Sequence, residues 1–219
     1  MNTAAIEFDA IGGKSFRALS GAVAPGQVAR VTYVVQEQCD ELWDVLTGLR
    51  APRRGRLRYT GTDVYALPPP RRLETMQHIG VLSSGGGLIS NLKVWENVVL
   101  PTWYHRDAPL DTLEQPVAAL LRELGVDDKD MRELMTRLPE QLHDGERTVV
   151  GLVRALLMQP DIMIYSAPFS GMERDMATRL LRVITDYQRG AGQRAALMLL
   201  PDEPFSQRVP ADVTLTLEI

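Results

Sequence analysis

With 219 residues, 45% of them apolar and 24% charged, the chain is long enough to bury a sizeable core and has the composition of an ordinary globular protein. Its net charge of −4 supplies no general attraction to nucleic acid or anionic lipid, and the single Cys39 excludes an internal disulfide framework or a cysteine-rich zinc site. No secretion pattern and no apolar run near the roughly 20 residues that span a bilayer is present, so the expected location is the cytoplasm, including its membrane face where a partner holds it there.

Residues 4–9 and 27–35 are strand-like and are separated by the turn Ala24-Pro25-Gly26. Residues 41–49 have helical spacing, with Leu42, Val45, Leu46 and Leu49 on one side. A turn at 52–55 leads into a short strand, 56–59. The proline-rich 67–70 reads as a loop ahead of another short strand, 79–82. Helical patterns cover 95–105, 112–124 and 129–137. A capped helix over 146–158, a turn at Gln159-Pro160-Asp161 and a wholly apolar strand, 162–165, then follow in close order. An amphipathic helix (173–189), a buried strand (195–200) and an alternating edge strand (213–218) complete the chain.

Strands alternating with helices predict an α/β fold with a mainly parallel sheet. The helices between 95 and 137 break that alternation, which predicts a helical lobe (91–144) inserted into one domain whose core lobe is 1–90 and 145–219.

Residues 138–172, LPEQLHDGERTVVGLVRALLMQPDIMIYSAPFSGM, resemble the stretch of ATP-binding cassette (ABC) ATPases in which the signature helix runs into the acidic Walker B strand. The likeness covers nearly the whole chain, and ISNLKVWENVVLP, 89–101, is similar to the ATPases of mammalian-cell-entry (Mla-type) lipid transporters. It implies a P-loop NTPase-like ABC ATPase core, with a mixed, mainly parallel sheet, the inserted helical lobe and an antiparallel edge.

The resemblance places the phosphate loop on residues 33–41, from Tyr33 through Gln36, Glu37, Gln38, Cys39 and Asp40 to Glu41. A working loop needs glycines so that consecutive N–H groups cradle phosphates, a lysine for the β/γ-phosphates and a Ser or Thr hydroxyl for magnesium. This stretch has no glycine, Cys39 stands at the lysine position and Asp40 at the hydroxyl position, and the plain reading of 37–49 is a helix behind a loop. Glu37, Asp40 and Glu41 also set carboxylates beside the triphosphate's place. One unit charge at about 4 Å is worth roughly 4 kcal/mol near a protein surface. Micromolar to millimolar affinity is only about 8 to 4 kcal/mol in total.

The remaining landmarks are altered in the same direction. The glutamine that contacts magnesium maps to Ser84, and Gly85-Gly86-Gly87 beside it, lacking a following Lys-Ser/Thr, reads as a flexible loop. The signature pentapeptide is Leu142-His143-Asp144-Gly145-Glu146. Asp144 and Glu146 suit a helix N-terminus but would repel a facing phosphate, and His143 reads as a surface histidine. The acidic pair ending the Walker B strand becomes Ser166-Ala167, and the switch histidine becomes Pro201. Alanine can neither polarise nor deprotonate a water. Asp202-Glu203 read as an exposed turn. Arg50, Arg53, Arg54, Arg56 and Arg58, with Arg71 and Arg72, form the one basic concentration and read as a solvated face, while Trp43, Trp95 and Trp103 read as packing residues.

The expectation is therefore a catalytically inactive, pseudo-ATPase subunit of an ABC-type lipid transport system, using no ATP, magnesium or other metal. Its partners would be ABC permease subunits, an active ABC ATPase or a second copy of itself. No nucleic acid is expected, and the membrane is met only through those partners. Because the signature positions are altered as well, pairing with an active ATPase would compromise both composite sites, which favours a regulatory or scaffold role. Two other classes stay open: a weak, atypical ATPase that recruits Asp40 or Asp161 as a metal ligand, and a scaffold unrelated to transport.

Overall fold

The computed structural model describes residues 3–106, 109–190 and 192–218. The chain divides into two units, Met1–Val81 with Pro160–Ala167 and Gln188–Ile219, and Leu82–Gln159 with Pro168–Tyr187.

In the first unit the antiparallel strands make a sheet of their own. It consists of β1 (Ile6–Gly12), β2 (Leu19–Val23), β4 (Arg54–Tyr59) and β5 (Thr62–Asp63), in the order β2-β1-β4-β5. The larger sheet has the order β6-β7-β8-β3-β9, from β3 (Val28–Tyr33), β6 (Ile79–Ser83), β7 (Ile162–Ser166), β8 (Ala195–Pro201) and β9 (Val213–Thr216). Strands β7, β8, β3 and β9 run parallel, with β9 at the edge as its alternating pattern predicts. Buried on every residue but the last, β7 and β8 read as near-continuous apolar runs, as strands covered on both faces must.

Between these strands, α1 (Gln36–Leu46) buries Leu42, Val45 and Leu46 in the core that Ile6, Leu57, Ile164 and Leu197 share. The Tyr59 hydroxyl, also buried, donates to the carbonyl of Leu46 at 2.7 Å and meets the polar need of the helix end.

Three sequence expectations shift here. Helix α1 runs from Gln36 to Leu46, ahead of the spacing at 41–49 but in line with the plain reading of 37–49 as a helix behind a loop, so most of the stretch aligned with the phosphate loop is helical. The predicted loop at 67–70 instead opens α2 (Pro69–Met76), because prolines at the first helical positions give up N–H groups that would be unbonded anyway. Strand β2 was not predicted; only three of its five residues are apolar, and its pairing with β1 completes it.

The second unit holds α3 (Val94–Arg106), α4 (Glu114–Glu123), α5 (Asp128–Leu134), α6 (Asp144–Leu157) and all but the last two residues of α7 (Arg174–Arg189). It extends beyond the expected lobe at 91–144 because α3 and α4 both pack on α6, the signature-type helix. Asn97 is buried on α3 and ties down the preceding loop, accepting from the Ile89 N–H at 2.7 Å and donating to the Ile89 and Leu92 carbonyls at 3.0 and 2.9 Å.

The tryptophans divide. Trp43 is partly buried against the core and Trp95 is half-buried, but Trp103 is 54% exposed, a correction to its reading as packing. It lies one residue past Thr102, off the stripe that Val98, Val99 and Thr102 bury.

Candidate functional site

Parallel strands β7, β8 and β3 end along one edge of their sheet, where open α/β sheets place their ligands. Tyr33 is in register with Pro201, and Ser166 with Leu199. Two residues, Val34 and Val35, carry the chain from β3 into α1, and both expose apolar surface. The positions expected to form a phosphate loop therefore make a tight strand-to-helix junction.

Gln38 fills that junction. Its side chain has no exposed surface, and its Oε1 accepts from the N–H groups of Val34 at 2.9 Å and Val35 at 3.2 Å. Its Nε2 donates to the carbonyl of Leu217 at 3.2 Å, just past β9. All polar atoms of a buried amide are thereby matched, which makes its burial tolerable.

One residue on, Cys39 is fully buried, and its Sγ shares a hydrogen bond of 3.3 Å with Oγ of Ser166. The positions of the lysine and the first Walker B acid thus meet as two small neutral groups. Burial pushes the Cys39 thiol up, against the hydrogen bonds from Ser166 and Tyr33 that favour its thiolate. Burial and the adjacent Cys39 likewise push the Tyr33 phenol well above its ordinary value. Tyr33, Cys39 and Ser166 are all uncharged at neutral pH.

Two of the acidic residues of α1 are held by neighbours, while Glu37 is exposed. Asp40 accepts from the Gln36 amide at 2.8 Å. The Glu41 carboxylate takes the Lys14 N–H at 2.7 Å to each oxygen, the Ser15 N–H at 2.8 Å and the Ser15 hydroxyl at 2.6 Å. Burial alone would push Glu41 up; the Ser15 hydroxyl, the two N–H groups and Arg53 outweigh it and hold the carboxyl below its ordinary value. A depressed carboxyl contributes stability above its unfolded value of about 4.3 and loses it as pH falls through the lower folded value. Glu41→Gln is therefore expected to lower stability at neutral pH and to flatten the acid limb of the pH–stability curve, which denaturant titrations between neutral and acidic pH would measure.

Asp161 does not belong to this site. It precedes β7 at the opposite end of the strand from Ser166, roughly 15 Å away at about 3.3 Å per residue, so it cannot share a metal with Asp40. Among the described residues, no group of three or more His, Cys, Asp or Glu is placed to hold a metal ion. Ala167 follows β7 at φ +43°, and its N–H donates to the Leu199 carbonyl at 2.9 Å. Pro201 ends β8, with Asp202 and Glu203 in an exposed turn as expected. Part of the arginine concentration is paired with nearby carboxylates: Arg58 with Glu7 and Asp9 at 2.6 and 3.2 Å, Arg50 with Asp44 at 3.0 Å, Arg56 with Asp63 at 3.8 Å, and Arg71 with Glu74 at 3.1 Å.

The other sequence-predicted positions lie in the second unit. Ser84 is exposed in a turn. The glycines after it are not a loose loop. The Gly85 N–H donates to Thr148 at 3.1 Å, and the Arg154 guanidinium donates to the carbonyls of Gly86 and Gly87 at 2.7 and 3.0 Å. Of the signature positions, Leu142 and Gly145 are buried, and a Cβ at Gly145 would stand 2.6 Å from Sδ of Met176. His143 and Asp144 are exposed, and Glu146 accepts the His143 N–H at 2.9 Å as a helix cap.

Sequence reasoning places Gln38 in the phosphate loop without its buried role, and does not reach the Lys14–Ser15 clamp on Glu41 or Arg154. The doublet Gly12-Gly13 before the clamp and the glycine inside α6 were the available signals.

The ABC transporter family matches residues 41–170, more than half of the chain. The methionine import ATP-binding protein MetN 1 of Rhodococcus jostii is 26% identical over 90% of this chain and 56% of its own length. The molybdate/tungstate import ATP-binding protein WtpC of Pyrococcus horikoshii is 24% identical over 69% of this chain and 41% of its own length. The intermembrane phospholipid transport system ATP-binding protein MlaF of Haemophilus influenzae is 25% identical over 60% and 48%. The chain thus spans about half the length of the curated relatives it matches. Among solved structures, the dimeric bacterial ABC transporter cassette MJ0796 superposes with a TM-score of 0.84 at 14% identity, over 97% of this chain and 94% of its own. Fold, strand-end geometry and family match agree, and the chain belongs to the ABC transporter family.

Proposed function

We propose that this chain is a catalytically silent cassette: an ABC ATPase-like subunit of a lipid transport system that regulates or scaffolds the assembly without hydrolysing ATP. The observation that carries the reading is the Cys39–Ser166 pair, a buried neutral contact at 3.3 Å where a nucleotide site would set a lysine against an acid. The residues present do not fit a magnesium nucleotide. Cys39 supplies no cation for the phosphates, the Ser166 hydroxyl is hydrogen-bonded to Cys39 where the family has a carboxylate for the ion, and Ala167 supplies no base. The likeness to MlaF and to the import ATP-binding proteins MetN 1 and WtpC supports a place beside membrane permease subunits, an active ATPase or a second copy. No helix among the described residues is long and apolar enough to cross a membrane, so contact with the bilayer is assigned to those partners.

Calorimetry with magnesium-ATP and a phosphate-release assay test the reading. Neither binding at millimolar nucleotide nor turnover is expected. Tight binding abolished by Asp40→Ala would replace it with an atypical ATPase. The transport assignment is tested separately, by co-purification of a permease or lipid-transport component from native membranes.

A further inference from the structure

Loss of the lysine and the acid explains why nothing attracts a phosphate to the strand-to-helix junction. It does not explain why a glutamine is sealed inside it. A helix cap accounts for one of Gln38's bonds, the reach back to the Val35 N–H. The bond from Val34, the shorter of the two, and the bond to Leu217 lie outside that motif. Two successive N–H groups converge on one oxygen, which is how a backbone nest receives an anion.

We propose that Oε1 of Gln38 stands where a phosphate oxygen would, making the side chain a built-in occupant that excludes nucleotide phosphates. The inference rests on the silent-cassette reading and deepens it: the loss of charge removes the attraction, and Gln38 removes the vacancy. Through Nε2 the same side chain holds the residue after β9, so β3, α1 and the end of the sheet are joined at one point without a ligand.

The test follows the Val34 and Val35 amides by hydrogen exchange and by NMR shift during titration with inorganic pyrophosphate. It compares the unaltered chain, Asp40→Ser, Gln38→Met/Asp40→Ser and Gln38→Gly/Asp40→Ser. Asp40→Ser removes one exposed carboxylate beside the junction and is common to the three variants, so they differ only at residue 38. With Gln38 present, both amides should be protected and unmoved by millimolar pyrophosphate. Methionine keeps the length and bulk without polar atoms, and both amides should exchange roughly tenfold faster while pyrophosphate stays excluded. Glycine should give both faster exchange and a pyrophosphate-dependent shift.

Three results would overturn the occupant: a pyrophosphate shift with Gln38 in place, unchanged protection in the methionine variant, or no pyrophosphate response in the glycine variant. If ATP turnover is absent throughout, such results leave the silent-cassette reading standing. Turnover by the unaltered chain would sink that reading by itself.

Discussion

Gly86→Ala is expected to destabilise the helical unit by about 2–5 kcal/mol, more than any conservative change on its surface. Two costs add. Gly86 sits at φ +72°, a left-handed conformation that costs a residue with a Cβ roughly 1–2 kcal/mol. The new Cβ would also overlap the carbonyl oxygen of Arg147 on α6, and overpacking of a tight contact costs about 1–3 kcal/mol. Neither side can give way easily. The turn is fastened to α6 through Arg154 and Thr148, and a Cβ on Gly151 would in turn stand 2.6 Å from Cα of Gly86. Gly85 is the control, with the same φ of +72° and nothing within 4 Å of its would-be Cβ. Gly85→Ala should therefore show the conformational cost alone, about 1–2 kcal/mol. Denaturant midpoints of the two variants separate the terms; equal losses would mean that the close crossing of turn and helix is not tight.

That crossing also marks what the sequence could and could not reveal. The apolar runs of β7 and β8, the spacing of α6 and the turn between α6 and β7 are local patterns, and each forms where it was expected. The absence of the family's usual residues was equally legible, because it is a matter of residue identity at Cys39, Asp40, Ser166, Ala167 and Pro201. What those positions and their neighbours do instead was not. Gly86 and Gly151, Glu41 and Lys14–Ser15, Gln38 and Leu217 are partners distant in the chain, and no local period announces them. Gln38 in particular is placed by the resemblance in the phosphate loop, and nothing local in the sequence says that its side chain is buried against Val34, Val35 and Leu217. Prolines misled in the opposite way. Leu67 to Pro70 carries the composition of a loop, yet Pro69 and Pro70 open α2, a helix that buries none of its residues and so leaves no apolar stripe to detect.

Restoring the lysine should harm the protein rather than revive it. Cys39→Lys puts an ammonium in a position with no exposed surface, beside Ser166 and Tyr33, neither of which carries charge. The exposed Asp40, whose charge acts on Cys39, offsets only part of this, and an uncompensated buried charge costs about 3–5 kcal/mol, which is the upper bound here. The lysine's pKa would fall below its ordinary value of about 10.4, and the unfolded chain would then bind more protons than the folded one, so the loss should shrink as pH rises. Ser166→Asp alone leaves a part-buried carboxylate facing a neutral thiol and should also destabilise. Combined, the two changes place opposite charges on side chains whose present atoms are 3.3 Å apart, and the double variant should be more stable than the sum of the singles by about 0.5–3 kcal/mol. Denaturant unfolding of the four proteins from mildly acidic to strongly alkaline pH measures both the coupling and its pH dependence. A coupling near zero would mean that the two positions do not face each other. On the proposed silent-cassette reading no hydrolysis is expected even from the double variant, because Gln38 still fills the junction and Ala167 still offers no base.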